Sequence, residues 1–150
     1  MSFFDSISIA ASGLTAERVR MDVTSENLAN ADTTQGANGQ PYQRQEVVVQ
    51  QVGGGFSAAL SGAMGGTALG GGPTAGGVAV TGIVNDPTPD QSVYDPGNPD
   101  ADSKGYVKMP NVNSVTEMVD MIDESRSYEA NVTAMNTSKD MYQKTLDLLK

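Results

Sequence analysis

The sequence predicts a mainly α-helical protein in which two long terminal helices enclose a small, irregular, β-rich middle. Two observations predict the helices. Residues 114–150 contain no Gly or Pro and repeat apolar side chains every three or four positions, and residues 5–29 carry an apolar seam with a seven-residue spacing. A third observation is that the intervening residues are rich in Gly and Pro and contain only two short apolar runs. The helices are expected to pair as a coiled-coil-like hairpin.

The first predicted helix runs from Asp5 to Ala29, and either Asp5 or Ser6 can serve as its N-cap. Its apolar seam has four members seven residues apart: Ile7, Leu14, Met21 and Leu28. Periodicity alone fits an amphipathic element of a small bundle equally well.

Two asparagines lie three residues apart where this helix ends, Asn27 and Asn30. Asparagine tolerates the left-handed conformation that terminates helices, and its amide can bond the freed carbonyls. The simplest interpretation is that Asn30 is a C-cap and Asn27 lies on the surface.

The middle of the chain is predicted to contain two strands, at Tyr42–Val52 and Val78–Val84. Between them, residues 53–77 are Gly-, Ala- and Ser-rich and are expected to form a flexible loop. This loop has no Lys and precedes no helix pattern, so it is not a phosphate-binding loop. Four prolines between residues 87 and 99 predict an extended, irregular path up to Pro110.

The sequence contains two acidic clusters that are candidate sites. Asn98, Asp100 and Asp102 match the opening of a calcium-binding EF-hand loop. However, Ser103 stands where the sharp turn requires Gly, and Met109 stands where the bidentate Glu belongs. A solvated turn is therefore predicted. The second cluster lies on the last helix and is predicted to be a solvated face balanced by Arg126; its members are Asp120, Asp123 and Glu124.

The last helix, Ser114 to Lys150, would be roughly 55 Å long at 1.5 Å per residue. Ser114-Val-Thr-Glu117 has the pattern of a capping box. Lysines near its C-terminal end interact favourably with the helix dipole. Its stripe comprises Val115, Met118, Ile122, Ser125, Tyr128, Val132, Met135, Lys139, Tyr142, Leu146 and Leu149. A helix of this length exceeds what the remaining residues can cover, so a partner is predicted.

Composition excludes several function classes. The formal net charge of -9 argues against a nucleic-acid or anionic-membrane partner. The chain has no Cys and no His, which removes disulfides, thiol chemistry, the usual zinc ligands and the commonest general base. No enzyme activity, cofactor or metal is therefore predicted. A content of 38% hydrophobic residues with 17 Gly also predicts that any compact core is small.

The N-terminus lacks the features of a secretory signal peptide. The first basic residue is Arg18, so no basic n-region precedes the apolar residues. No apolar run approaches the length needed to span a membrane. If the protein leaves the cytoplasm, another route is expected.

Three stretches resemble the flagellar axial proteins, the family of rod and hook subunits. The first is residues 11–22 with its continuation Ser25-Glu-Asn-Leu-Ala-Asn-Ala-Asp-Thr-Thr34, similar to the motif at the end of the family's N-terminal helix. The second is residues 93–102 with 105–113, and the third is residues 117–131 with the Lys-Thr-Leu near the end. The second and third point to a proximal-rod member. Glu26 and Asp32 depart from the asparagines usual in the motif, and the Gly-rich segment is longer than expected.

The resemblance implies a structural subunit of the flagellar basal-body rod, polymerising through its terminal helices into part of a hollow drive shaft. It implies three segments: residues 1–32 and 114–150 as helical rod core, and residues 33–113 as a middle that projects outward. Implied partners are other copies of the chain, other rod proteins, basal-body ring and export-gate or adaptor proteins, and the flagellar type III export apparatus. The implied location is the basal body in the periplasmic space, reached without a cleaved signal peptide and without membrane insertion.

The expected assembly interface follows from the stripes and the helix-end motif. Its residues are Ile7, Leu14, Met21, Asn27, Leu28, Asn30, Met118, Ile122, Tyr128, Val132, Met135, Tyr142 and Leu146. The methionines on the last helix suit either an adaptable interface or ordinary core filling. Two alternatives stay open: another axial subunit, or, in a different class, a soluble coiled-coil adaptor or export chaperone.

Overall fold

The computed structural model describes residues 3–36, 38–52 and 76–148. In chain order, the elements within these ranges are α1 (Phe3–Ala29), β1 (Gln45–Gln51), β2 (Val78–Asn85), β3 (Gln91–Tyr94), β4 (Tyr106–Met109) and α2 (Ser114–Asp147). The predicted fold class, two long terminal helices around a small β-rich middle, is confirmed. Both predicted strands are present, with β1 starting three residues later than expected and β2 ending one residue later.

The chain divides into two compact units, and both helices and the first two strands contribute residues to each. The first unit comprises Met1–Arg18, Val49–Thr81 and Arg126–Lys150, and the second comprises Val19–Val48 and Gly82–Ser125.

In the first unit, small side chains on α1 allow close approach. Ala10 and Ala16 are buried, and a Cβ built on Gly13 would lie 3.0 Å from Nδ2 of Asn131 on α2. The Ser12 hydroxyl accepts a 3.1 Å hydrogen bond from the Val78 amide, which holds the start of β2 against α1. The far end of α2, residues 141–148, is exposed along its whole length.

In the second unit, a small core forms where the end of α1, the middle segment and the start of α2 meet. Its buried apolar side chains are Val23, Ala31, Val107 and Val112. Thr24, Asn27 and Glu117 are buried with them, the last two at 1% exposure. A core this small that contains two fully buried polar groups depends on their being hydrogen-bonded.

Strands β1 and β2 pair as an antiparallel two-stranded sheet. The orientation follows from the bonds that flank it: the Val52 amide donates to the Gly77 carbonyl at 3.0 Å, and the Asp86 amide donates to the Arg44 carbonyl at 2.8 Å.

Strands β3 and β4 form an antiparallel hairpin in which Gln91 pairs with Met109 and Tyr94 with Tyr106. The two tyrosine rings meet edge to face with centroids 5.3 Å apart. Gly105 has φ +81°, and a Cβ there would lie 2.9 Å from the Tyr94 ring, so glycine is required at this turn. The prediction of an irregular path up to Pro110 is wrong for these strands, because four-residue strands are too short to show alternation in sequence.

The predicted N-cap of each helix requires correction, although α2 begins at Ser114 as predicted. Helix α1 begins at Phe3, so Asp5 and Ser6 lie inside its first turn and cannot be its N-cap. At α2, the Asn113 side chain accepts hydrogen bonds from the Val115 and Thr116 amides, at 3.0 and 3.3 Å. Asn113 is thus the cap, and the capping-box prediction is wrong because Glu117 points into the protein instead.

The predicted flexible loop falls largely outside the described residues, which resume at Gly76. Leu149 of the predicted stripe also lies outside them. Neither α1 nor α2, over its described length, has a window apolar enough to cross a bilayer.

Candidate assembly surface

The first turns of α2 present apolar side chains to solvent. Val115 is 70% exposed, Met118 50%, Val119 52% and Ile122 52%. These four residues are named here the α2 apolar face. Helical residues three and four apart lie side by side, so this spacing makes one continuous surface. An exposed contiguous apolar patch on a helix is the usual mark of a protein-protein contact.

The opposite side of the same turns faces inward and carries two carboxylates beside one apolar side chain. Glu117 is buried, and Met121 and Glu124 are half-buried. Glu124 accepts a 3.0 Å hydrogen bond from the buried Thr24 hydroxyl through Oε1, and its Oε2 is also shielded from solvent. The prediction that Asp120, Asp123 and Glu124 form a solvated face is therefore wrong for Glu124, because α2 turns this side toward α1.

Asn27 is the centre of a hydrogen-bonded cluster at the end of α1. Its Nδ2 donates to the Gln45 carbonyl at 2.9 Å and to Oε2 of Glu117 at 3.1 Å. Its Oδ1 accepts from the Gln45 amide and from the Tyr42 hydroxyl, each at 2.9 Å. All four hydrogen-bonding positions of the amide are thus used. The simple interpretation of Asn27 as a surface residue is wrong.

The Glu117 carboxylate binds two partners from different segments. Oε2 accepts from Asn27, and Oε1 accepts a 2.6 Å charge-assisted bond from Nε of Arg44, at the entry to β1. Burial alone would lower the pKa of Arg44, but the hydrogen bond and charge of Glu117, followed by those of Glu46, outweigh burial and raise it. Arg44 therefore stays cationic and neutralises the buried carboxylate.

Further carboxylates surround the exposed side of the Arg44 guanidinium. Nη1 also contacts Glu46 and lies 3.6 Å from Asp86, while Nη2 lies 3.8 Å from Asp120.

Tyr42, on the other side of Asn27, has its pKa raised by burial and by the charges of Glu26 and Glu117. Its hydroxyl therefore remains a hydrogen-bond donor at neutral pH.

The loop that resembles an EF-hand opening is instead a set of side-chain-capped turns. Asp95 accepts from the Gly97 amide, Asn98 from the Asp100 amide, and Asp102 from the amides of Lys104 and Tyr106. In the described part of the chain, no three Asp or Glu side chains converge as metal ligands. The predicted turn is confirmed, with its side chains bonding their own backbone.

The structure divides the predicted interface residues into groups. Ile7, Leu14, Met21 and Leu28 are half-buried, as are Tyr128, Val132 and Met135. Met118, Ile122, Tyr142 and Leu146 are exposed. Asn27 is buried in the cluster just described, and Asn30 caps α1 through a 2.9 Å bond from Nδ2 to the Glu26 carbonyl, as predicted.

Sequence reasoning missed three members of the buried cluster: Tyr42, Arg44 and Glu117. Tyr42 and Arg44 lie in a polar stretch with no periodicity to distinguish them. The spacing of Glu117 from Ser114 predicts a capping residue, because it fits the capping-box motif. The sequence did contain one signal of its direction. Glu117 lies two residues after Val115 and one before Met118, so it cannot share the face of the helix that these two members of the stripe occupy.

Two family models match the chain at its ends. Residues 7–38 match the flagella basal body rod protein model, and residues 103–148 match the flagellar basal body rod FlgEFG protein C-terminal model. The matched segments contain the end of α1 with Asn27 and most of α2 with its apolar face.

Curated relatives match over their full length. The flagellar basal-body rod protein FlgC of Bacillus subtilis is 48% identical over 154 residues, covering 100% of both chains. FlgC of Yersinia enterocolitica is 45% identical, covering 99% of this chain and 98% of the relative. FlgC of Borreliella burgdorferi is 43% identical over 161 residues, covering 100% and 99%. The similarity therefore includes the middle segment as well as the helices.

Proposed function

Since this chain belongs to the FlgC family of flagellar basal-body rod proteins and is thus a structural subunit of that rod, we propose that it polymerises through α1 and α2 into the proximal rod. The terminal segments, residues 1–32 and 114–150, form the inner wall of a hollow shaft in this proposal. Residues 33–113 project outward. The chain acts by packing and transmits torque without catalysis.

The observation that carries the proposal is the α2 apolar face. Val115, Met118, Val119 and Ile122 are half or more exposed while polar groups occupy the inward side of the same turns. A protein that worked alone would gain stability by turning these side chains inward. In an assembly, neighbouring subunits can bury these side chains and so stabilise the contact. A contact between unlike surfaces builds an open helical assembly when its rotation does not close into a ring, which is what a rod requires.

The proposed partners follow from this position. They are further copies of the chain, other rod proteins along the shaft, ring and export-gate or adaptor proteins at the rod base, and the flagellar type III export apparatus that delivers the chain. In this proposal the rod lies in the periplasmic space. Nucleic acid and membrane insertion have no part in the proposal.

A soluble coiled-coil adaptor or export chaperone would also have paired acidic helices. The full-length similarity to rod proteins, which includes the β-rich middle, favours the rod subunit. An adaptor built from two helices leaves that middle without a role.

The proposal is tested by complementation of a deletion strain. Leu28 is half-buried near the end of α1, and the neighbouring Ala29 is exposed. Leu28→Asp should abolish swimming and incorporation into basal bodies, because an unpaired charge would enter a helix seam. Ala29→Asp, which adds the same charge one residue away, should assemble and swim. Normal assembly of the Leu28→Asp variant would contradict the stacked-helix proposal.

A further inference from the structure

We propose that the buried Glu117–Arg44 pair, together with Asn27, is a register pin that fixes the rotation of α2 and thereby turns the α2 apolar face outward. The three residues come from α2, the entry to β1 and the end of α1, so the pin joins three segments of the second unit. The pin is a property of the single chain. What the presented face then binds rests on the proposed function.

The start of α2 contains two competing faces. At 100° per residue, the mean directions of the apolar face and of the Glu117, Met121 and Glu124 side differ by roughly 145° around the helix. Hydrophobic burial alone favours the rotation that hides Val115, Met118 and Ile122. The observed rotation is the opposite one, with these residues half or more exposed and Glu117 at 1% exposure. An interaction made by the side that carries Glu117 must therefore select the observed rotation of α2.

The pin supplies that interaction because its groups can be satisfied in one rotation only. Glu117 binds Asn27 through one oxygen and Arg44 through the other, at 3.1 and 2.6 Å. Rotating α2 to bury its apolar face would carry Glu117 to solvent and leave Nδ2 of Asn27 without one of its two acceptors. The Arg44 side chain, 21% exposed, would lose its strongest partner. Buried polar groups are well suited to setting register even where apolar groups would give equal stability.

The two partners of Glu117 are themselves held in place. Asn27 is fixed by both backbone groups of Gln45 and by the Tyr42 hydroxyl. Arg44 is fixed through its own backbone, since its amide donates to Oδ1 of Asn111 at 2.8 Å. Asn27 and Arg44 therefore form a rigid receptor for the Glu117 side chain of α2. A receptor of this kind discriminates between rotations because a misplaced Glu117 gains none of its bonds.

Single cysteines report the rotation, since the chain has none of its own. Ile122→Cys marks the outward face and Met121→Cys the inward side. Each is placed in the full-length parent chain and in an Arg44→Gln/Glu117→Ala variant, which removes both charges and the bonds of the pin without adding a large apolar side chain to the inward side. The measurements are the rate of thiol modification by a maleimide and the melting temperature.

In the parent, the Cys at 122 should react faster than the Cys at 121. In the pin variant the order should reverse. The rate at 122 should fall by roughly fivefold or more as that position becomes buried, with a cooperative melting transition retained. A merely stabilising role predicts the opposite change at 122, because a loosened helix reacts faster.

An unchanged or raised rate at 122 in a folded pin variant would overturn the proposal, as would equal rates at 121 and 122 in the parent. If the double variant loses its helical signal, Glu117→Ser takes its place with the same expectations. It leaves Arg44 paired with Glu46 and Asp86. The matched control is Glu129→Ala/Lys139→Gln, which removes the same two charges at exposed positions of α2 and should leave both rates unchanged.

Discussion

Asn27 and Gln45 are joined by two hydrogen bonds, so that the Asn27 side-chain amide pairs with the backbone of β1 as a neighbouring strand would. Nδ2 donates to the Gln45 carbonyl and Oδ1 accepts from the Gln45 amide, both at 2.9 Å. This arrangement attaches the end of α1 to the first residue of β1. It requires an amide, because a carboxylate lacks the donor and an aliphatic side chain lacks both groups.

Replacing Asn27 with Ala is therefore expected to be costly. The substitution leaves the Gln45 amide and carbonyl without partners in a buried site. We expect the free energy of unfolding of the second unit to fall by roughly 2–4 kcal/mol. Urea denaturation followed by far-ultraviolet circular dichroism measures the change.

The control is Asn30→Ala, three residues away in the same motif. Its side chain caps an exposed carbonyl, so its loss should lower the free energy of unfolding by about 1 kcal/mol or less. Equal losses for the two variants would mean that the Asn27 cluster does not hold the fold together.

A charge on the α2 apolar face should separate folding from assembly. Ile122→Asp changes a side chain that is 52% exposed, so the free energy of unfolding of the isolated chain should change by no more than about 0.5 kcal/mol. Incorporation into basal bodies should fall by at least about tenfold, because the charge would be buried unpaired against a neighbour. Immunoblots of purified basal bodies measure incorporation.

Ser127→Asp is the control, since Ser127 is exposed on α2 and lies roughly 140° from Ile122 around the helix. It should assemble normally. Equal incorporation of both variants would show that the α2 apolar face is not an interface.

The β3–β4 turn should loosen in acid. The pKa of Asp102 is lowered from its ordinary 3.8 by hydrogen bonds from the backbone amides of Tyr106, then Lys104, and, more weakly, Gly105. A lowered folded-state pKa means that the stabilisation is complete above the ordinary pKa and is lost as the pH falls through the folded-state value. The amides of Lys104 and Tyr106 should therefore exchange faster below about pH 4, as nuclear magnetic resonance would detect.

Asp102→Asn keeps an acceptor oxygen at the same place but cannot ionise. Its turn amides should show no such acid transition. A transition of the same size in Asp102→Asn would assign the effect to another carboxylate, for example Asp86, whose pKa is lowered by hydrogen bonds from Thr88.

Limited trypsin digestion of the dilute chain should begin at the end of α2. Lys139 and Lys144 are exposed in a segment that lacks neighbours on most sides, whereas Arg44 is held by its carboxylates. The first products should lack the C-terminal end and retain an intact bond after Arg44, as mass spectrometry would detect. Assembled basal bodies should protect Lys139. Full-length, protected helices in the dilute chain would argue that α2 is complete without an assembly.

The helices were predictable because their signals are long. More than thirty residues without Gly or Pro, with apolar residues at helical spacing, predict α2 whatever surrounds it. The positions of Leu28 in the apolar seam and of Asn30 at the end of α1 were predicted from the same local rules. The strands β1 and β2 were found from runs of Val, although their exact ends depend on tertiary hydrogen bonds.

The sequence could not predict how α2 is rotated about its own axis. The periodic stripe that includes Met118 and Ile122 was predicted to pack against a partner helix, but the sequence did not indicate which way its first turns face in the single chain, where they point to solvent. Their direction depends on Glu117 meeting Arg44, 73 residues earlier in the chain. No local pattern specifies a contact of that separation. Four-residue strands and the Asn113 cap were missed for a related reason, since each depends on one or two hydrogen bonds rather than on a repeat.

Electron cryomicroscopy of purified basal bodies containing this chain would show how its helices sit in the rod. We expect that α1 and α2 lie nearly parallel to the rod axis, that the middle segment is outside, and that Val115, Met118, Val119 and Ile122 contact neighbouring subunits. If the chain is in the rod but these four side chains face solvent, the assigned surface is wrong. If no rod density accommodates the two helices, the stacked-helix account fails as a whole.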